Sequence, residues 1–381
     1  MKSIPEIHVD LDAPAHERWI RPGKKIAGRV HDLTESVLAL FSDSLPSFLQ
    51  PLLYKKAAFA SLVADPVIRI FLGQLFEECK GLSKATGIPA QLLAVSNCAY
   101  DICQCLSGYY PTACSTGVFH DADDRPVMLR FMDWCFPEDI ARFTTIVHFY
   151  SGGELAYSSL GFAGFLGVVT AVGPAWAVAL NQAPSAHVKK SFTGHPACYA
   201  MRMACDESGT FSELRENILA AKPFTPFLSL LCGTKRGEVA RIEKPDQGTA
   251  TCVRPTKRSP QLALSNHYIH RNHRSLNTET EWTDEDGQEW MSNTHERFCE
   301  VHRLAQEAEG FTRFPGLGKF EEEPVRNDHT VHLALMRPAT GTLKFKNYAV
   351  RGGEDRTPAI GHAPNRTKAQ ETCLLARAGF F

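Results

Sequence analysis

Residues 113–133 read ACSTGVFHDADDRPVMLRFMD, two apolar runs, CSTGVF and PVMLRFMD, on either side of the polar turn HDADDR. Short apolar runs bounded by a cluster of turn residues predict a β-hairpin. Upstream of it, apolar residues recur at helical spacing. Asp65-Pro66 supplies a capping residue and a first-turn proline ahead of Val67, Ile70, Phe71, Leu75 and Cys79, and Gly87-Ile88-Pro89 ends that helix. A second helix is expected from Ala90 to about Leu106, with Leu92, Leu93, Val95, Cys98, Ala99 and Ile102 on one stripe, and Phe48 to Leu62 forms a third apolar segment. Downstream the pattern turns extended: FTTIVHFY and a Ser151-Gly152-Gly153 turn continue the hairpin as a meander. Thr210 and Glu213 make a capping box for a helix through Ala221, followed by the strands FLSLLC, EVARIE and QLALSN. A helix from about Ser292 to Glu307 and a last hairpin, HTVHLALM with TLKFKNYAV, complete the chain's regular structure. Runs of strands interrupted by blocks of helix imply an α+β, layered architecture, with the change from helix to strand near residue 113.

The 381 residues are 44% hydrophobic and 22% charged, which describes a globular chain and excludes disorder or a fibre. Lys plus Arg number 41 against 42 Asp plus Glu, so no net field draws the protein to nucleic acid, and no nucleic-acid partner is expected. The twelve cysteines contain no CxxC pair and one CxC, Cys103 and Cys105, which excludes a zinc ribbon and a thioredoxin motif. The N-terminus MKSIPEIHVDLDAP lacks the unbroken apolar run of a signal peptide, so a cytoplasmic setting with mostly reduced thiols is expected and the sequon at Asn365 carries little weight. Phe162 to Leu180 is nineteen residues without a charge, long enough for a membrane span. Gly164, Gly167 and Gly173-Pro174 interrupt it, and Val168, Val169, Thr170 and Val172 favour extended chain, so two buried strands joined by a turn are expected instead.

Cys114 stands at the helix-to-strand change, flanked by small hydroxyl residues. An isolated cysteine is most often a buried structural one. What separates this one is Arg130 and Asp133 on the next strand, which a hairpin of this length folds back beside it. Strict alternation puts Arg130 and Asp133 on opposite faces, so Asp133 must lie past the strand end or at a bulge to share a site with Arg130.

These motifs resemble the acid ceramidase and N-acylethanolamine acid amidase family of N-terminal-nucleophile hydrolases, relatives of the choloylglycine hydrolases. The resemblance runs from VDLDAPAHERW (9–19) through ATGIPAQLLAVSNCAYD (85–101), CSTG with RFMD, ALNQ (179–182) and ALSNH (263–267) to SNTHERF. It implies an αββα sandwich made as one precursor that cuts itself before Cys114. A helical small subunit, 1–113, would stay associated with a catalytic part, 114–381. It also implies Cys114 as nucleophile with its freed α-amine as base, so that no histidine, metal or cofactor is required. Asp133 would accept from the ammonium, and Arg130 would favour the thiolate and fix the carboxylate. Asn266 would offer its side-chain amide to the oxyanion, with a backbone N–H near Asn181 as partner. Arg297, sharing a helix face with Val301 and Leu304, would point inward. The implied substrate is a fatty-acyl amide of N-acylethanolamine or ceramide-like type. The leucine- and phenylalanine-rich stretch from Phe41 to Phe76 would wall its acyl chain and offer peripheral membrane contact. Acyltransferases and β-lactam or bile-salt amidases share the superfamily, and a relative that does not cut would only bind lipid. Gln182, Asp101 and Phe131 depart from the family's usual glutamate, glutamate and asparagine, which puts lysosomal substrates and an acid optimum in doubt.

His267, His270 and His273 are spaced three apart, but no carboxylate or cysteine lies nearby in sequence and Arg271 and Arg274 interleave them, so a polar loop is expected rather than a zinc site. GLGKF (316–320) lacks the flanks of a nucleotide loop and is read as a turn.

Overall fold

The computed structural model describes residues 4–44, 72–107, 114–134, 140–183, 194–246, 248–256, 261–277, 282–283, 289–290, 293–312, 316–321 and 323–348. Its strands are β1 (Glu6–Asp10), β2 (Ser115–His120), β3 (Pro126–Asp133), β4 (Thr144–Ser151), β5 (Glu154–Phe162), β6 (Thr170–Val172), β7 (Ala177–Gln182), β8 (Phe227–Cys232), β9 (Val239–Lys244), β10 (Thr251–Val253), β11 (Leu262–Leu264), β12 (Trp282–Thr283), β13 (Glu289–Trp290), β14 (Thr330–Arg337) and β15 (Thr342–Asn347). Its α-helices are α1 (Ala15–Arg18), α2 (Ile20–Ser44), α3 (Gln74–Thr86), α4 (Ala90–Asn97), α5 (Ala99–Ser107), α6 (Ala197–Asp206), α7 (Phe211–Ala220) and α8 (Thr294–Glu307).

The strands form an eight-stranded sheet, β1-β4-β5-β6-β7-β8-β9-β10, and a five-stranded sheet, β11-β2-β3-β14-β15; β12 and β13 pair alone. Strand alternation builds the layers. On β2 and β3, Val118 and Met128 pack with Ala179, Leu228 and Leu230 of the large sheet. Phe119, Leu129 and Phe131, on the opposite face, pack on Val301 and Leu304 of α8. On β7, Ala177 and Ala179 face the small sheet, while Val178 and Leu180 join the core shared with the remaining helices. Helix, sheet, sheet, helix: the molecule is the expected α+β sandwich of αββα type.

The CSTG glycine has a packing reason. A Cβ on Gly117 would sit 3.2 Å from the Val301 carbonyl oxygen and 3.3 Å from the Ala305 Cβ, so β2 lies close under α8 because nothing projects there. The charge-free stretch resolves into the end of β5, β6 and β7, and among the described residues no helix is long and apolar enough to cross a membrane. Thr210 and Glu213 form the capping box, with Glu213 N donating to Thr210 Oγ1 at 3.2 Å and Thr210 N to Glu213 Oε2 at 2.9 Å.

Several expectations are corrected. The hairpin β2–β3 belongs to the small sheet, so the meander starts only at β4. The first third is not wholly helical, since β1 pairs in parallel with β4 as an edge strand of the large sheet. The helix from Ala90 breaks at Cys98 into α4 and α5. Among the described residues the longest helix, α2, goes unannounced in the sequence because Pro22 and Gly23 stand in its first turn, where a proline is tolerated. Gly23 is needed there, as a Cβ would come within 2.8 Å of Ala85 Cβ and Leu82 Cδ1 on α3. Cys299 is disulfide-bonded, while the seven other cysteines with described side chains are free. The Asp65-Pro66 cap, the Phe48–Leu62 segment, most of the Phe41–Phe76 wall, Ala113 and the Asn365 sequon lie outside the described residues.

Candidate active site

Cys114 immediately precedes β2 and is buried against the core between the large sheet and its helices. The turn Asp121–Arg125, in which Asp121 Oδ1 accepts from the N–H groups of Asp123 and Arg125, sets the register that pairs Thr116 with Arg130. Both side chains therefore point between the sheets, as does Asn181 from β7 across the gap. Arg130, fully buried, donates through Nη2 to Cys114 Sγ at 3.1 Å and to the Leu180 carbonyl at 2.7 Å. Its Nη1 donates to Thr116 Oγ1 at 2.9 Å and to Asn181 Oδ1.

The carbonyl oxygen of Cys114 is held from two sides. Asn181 Nδ2 donates to it at 3.0 Å from the large sheet, and Arg297 Nη1 donates to it at 3.0 Å from α8. Arg297 is fully buried on the face it shares with Val301 and Leu304, and Nη1 also reaches Ser115 Oγ at 3.2 Å and Asn266 Oδ1 at 3.1 Å. Asn266 follows β11; its Nδ2 donates to the Gln182 carbonyl at 2.9 Å and its backbone N–H to Thr294 Oγ1 at 3.0 Å. The five residues singled out in the sequence beside Cys114 thus come from β3, β7, α8 and the segment after β11 to surround it.

Three details differ from expectation. Asp133 is the last residue of β3, opposite a bulge at Val331 in β14, as the alternation argument requires, but it forms no ion pair with Arg130. Its Oδ2 accepts from Asn327 Nδ2 at 2.8 Å, and its Oδ1 is buried without a hydrogen-bond partner. Burial raises the Asp133 carboxyl to about 6 against the pull of Arg297, Thr330, Asn327 and Arg130. The second concerns the sulfur. Burial pushes the Cys114 thiol up, Asp133 adds to the rise, and Arg130 and Arg297 only partly offset it, so residue 114 rests as a thiol rather than a thiolate. Asn181 contributes its side chain to the backbone of residue 114, a role not foreseen.

The departures from the family pattern also find places. Gln182 is buried at the end of β7 and takes Asn266 on its carbonyl. Phe131 packs toward α8. Asp101 caps α6 from outside, accepting from Ala197 N at 3.0 Å and from Thr225 Oγ1 at 2.6 Å, and burial raises its carboxyl to about 7. Thr116 and Asn327 escaped the sequence reading. The hairpin register alone would have found Thr116, while Asn327 is 194 positions from its partner and leaves no local signal.

The histidines do not converge. His267 Nδ1 lies 3.0 Å from Ser265 Oγ and 3.1 Å from Thr294 Oγ1, with its ring 4.0 Å from that of His295. His273 turns the other way, to Glu243 Oε2 at 3.1 Å. A carboxylate does reach the cluster, from a strand thirty positions away. GLGKF is a short 3₁₀ turn, Leu317–Phe320.

No family model matches the chain. The N-acylethanolamine-hydrolyzing acid amidase of Caenorhabditis elegans is 23% identical over 245 residues, covering 62% of this chain and 66% of the relative, so the match spans just under two thirds of that protein's length. The solved structure of the Caenorhabditis elegans N-acylethanolamine-hydrolyzing acid amidase ortholog superposes with a TM-score of 0.47 at 20% identity, over 59% of this chain and 93% of that one. By its sequence the chain is similar to an N-acylethanolamine-hydrolyzing acid amidase.

Proposed function

We propose that the chain is a cysteine amidase that cuts itself between Ala113 and Cys114 and then hydrolyses fatty-acyl amides of N-acylethanolamine or ceramide-like type. The observation that carries this reading is the double grip on one residue: Arg130 on the Cys114 sulfur at 3.1 Å, and Asn181 and Arg297 on its carbonyl oxygen at 3.0 Å each. A buried structural cysteine has no use for three polar side chains.

In the uncut chain the thiol attacks the carbonyl carbon of residue 113, the C–N bond breaks as the nitrogen takes a proton and becomes the free α-amine of residue 114, and water opens the thioester to release the residue-113 carboxylate and the thiol. A chain end is ordinarily mobile. Here Asn181 and Arg297 hold its carbonyl, so amine and sulfur stay in place. Asp133 Oδ1, buried and unpartnered, would accept from the new ammonium, and the amine, with an ordinary pKa of about 7.7–8.0, would serve as base for the thiol beside it.

Turnover follows the same route. The sulfur attacks the acyl carbon of the substrate as the amine takes the thiol proton, and the ammonium returns a proton to the departing amine. Water then releases the fatty acid. Asn266 has a second amide N–H beyond the one on Gln182, and such a donor is worth about 2.7–4 kcal/mol to a developing oxyanion. The small fragment remains bound through the β1–β4 pairing and the contacts of α1 to α5.

The test is intact mass under denaturing conditions with an assay on an N-acylethanolamine and a ceramide. The parent chain should give fragments of 113 and 268 residues and release fatty acid, and Cys114→Ala should stay whole and inactive. Hydrolysis by an alanine variant at the parent rate would end the proposal.

A further inference from the structure

Glu243, next to last in β9, is a fully buried carboxylate, and its hydrogen-bond partners lie on the segment after β11 that carries Asn266. Its Oε1 accepts from the backbone N–H groups of Ile269 and His270, both at 2.9 Å, and its Oε2 lies 3.1 Å from His273 Nδ1. His273 Nε2 contacts the Thr249 carbonyl at 3.1 Å, and Arg241 Nε is 3.6 Å from Oε1. The loop closes on itself where Tyr268 N donates to Asn277 Oδ1 at 2.7 Å and Asn277 Nδ2 to the Tyr268 carbonyl at 2.9 Å. On the far side Ser265 Oγ donates to the Thr294 carbonyl at 2.8 Å, at the start of α8.

Asn266 therefore sits between two anchors, α8 behind it and the Glu243 carboxylate three residues ahead. Burying a carboxylate is unfavourable, and an apolar plug would hold a loop against a sheet at lower cost. What the carboxylate adds is direction: two successive N–H groups aimed at one oxygen fix the backbone's rotation as well as its position. An amide that must meet a developing oxyanion needs that constraint, because a displacement of about 1 Å lowers rate by about 100-fold. We propose that Glu243 is a positioning residue that sets the Asn266 amide through the loop from Tyr268 to Asn277. This rests on the amidase reading, and it gives the histidine run a part, with His273 fixing the orientation of the carboxylate.

Glu243→Gln, nearly the same in size, should lower kcat by about 10- to 100-fold with KM little changed. In an Asn266→Ala background the same substitution should cost less than about twofold, since the amide it sets is gone. An equal loss in both backgrounds would overturn the proposal. His273→Gln, which keeps the carboxylate, should show a smaller loss that also vanishes without Asn266, and serves if Glu243→Gln does not fold. Hydrogen exchange at the Ile269 and His270 amides reads the brace without any activity: faster exchange in the variant is expected, and unchanged exchange would refute it. A parent chain that hydrolyses no acyl amide would sink the amidase reading while the exchange result still stood.

Discussion

Two buried guanidinium groups in this molecule live in opposite company. Arg202 on α6 is paired with two carboxylates, although its Nη2 is buried without a hydrogen bond: Nε lies 2.7 Å from Asp206 Oδ1, Nη1 lies 3.6 Å from Glu78 Oε2, and the plane stacks 4.1 Å from the Phe149 ring. Glu78 in turn takes Arg18 Nη1 at 3.0 Å, Trp19 Nε1 at 2.5 Å and Tyr199 OH at 3.3 Å, so the knot ties α1 and α3 of the first third to α6. Arg130 has neutral oxygens and a sulfur, with no carboxylate in ion-pair range among the described residues, and its Nε is buried without a partner. Burial works against the Arg202 charge, but Asp206, Tyr157 and Glu78 more than offset it. The difference separates holding from acting. A neutralised knot contributes attachment, whereas an unneutralised cation keeps its field for an anion that forms only during reaction.

The comparison would be broken by exchanging the outcomes of two matched substitutions. Arg130→Met should lower kcat by about 10²–10³-fold while leaving thermal stability near that of the parent, because an apolar side chain of similar size replaces a cation that no carboxylate neutralises. Arg202→Met should do the reverse. It leaves Glu78 and Asp206 short of a buried counter-charge, costing about 3–5 kcal/mol in urea unfolding, while activity per folded molecule is kept. If Arg130→Met is the variant that unfolds, the cation is structural.

The acid–base behaviour of two buried carboxyl groups, Asp133 and Asp101, sharpens the same point. A free aspartate titrates near 3.8, whereas Asp133 is raised to about 6 and Asp101 to about 7, chiefly by burial. Between those values the native state keeps protons that the unfolded chain has released, so unfolding free energy falls as pH rises from about 4 to about 7 and levels off above. At about 1.4 kcal/mol per unit the loss is about 3 kcal/mol for Asp133 and about 4 kcal/mol for Asp101. Urea midpoints from pH 4 to 8 should show the decline. Asp133→Asn should flatten the part below about pH 6, and Asp101→Asn should flatten the decline up to about pH 7. Self-cleaved protein, with an ammonium beside Asp133, should show less of the first effect than uncut Cys114→Ala. A flat parent profile would mean that both groups are ionised throughout.

Local chemistry made the fold legible. The ACSTGVF hairpin, the Thr210–Glu213 box and the breaks at Gly173-Pro174 each act within a few residues, and each forms as expected. The thiol and the guanidinium were legible through their spacing along this hairpin, and the asparagines through family resemblance. Direction was not: Arg130 turns to the sulfur and the Leu180 carbonyl, and Asp133 turns instead to Asn327. Nor were the buried carboxylates at Glu78, Asp101 and Glu243, whose partners stand as far as 124 positions away and meet only once both sheets are assembled. The long helix α2 hid behind a proline and a glycine that its first turn tolerates.

The smallest effect tests the geometry most narrowly. Thr116 Oγ1 accepts from Arg130 Nη1 at 2.9 Å and donates to Asn181 Oδ1 at 3.1 Å, joining the group on the sulfur to the group on the carbonyl of the same residue. Thr116→Val keeps the shape and removes both bonds. Arg130 Nη1 retains Asn181, and Asn181 Oδ1 retains Arg130, so neither polar group is stranded and stability should change little. What is lost is the coupling of the two grips, worth about 1 kcal/mol, and kcat should drop about fivefold with KM unchanged. A valine variant with full kcat would mean that sulfur and carbonyl are held independently. A loss as large as that of Arg130→Met would place Thr116 among the groups that set the guanidinium itself, and move it from the margin of the site to its centre.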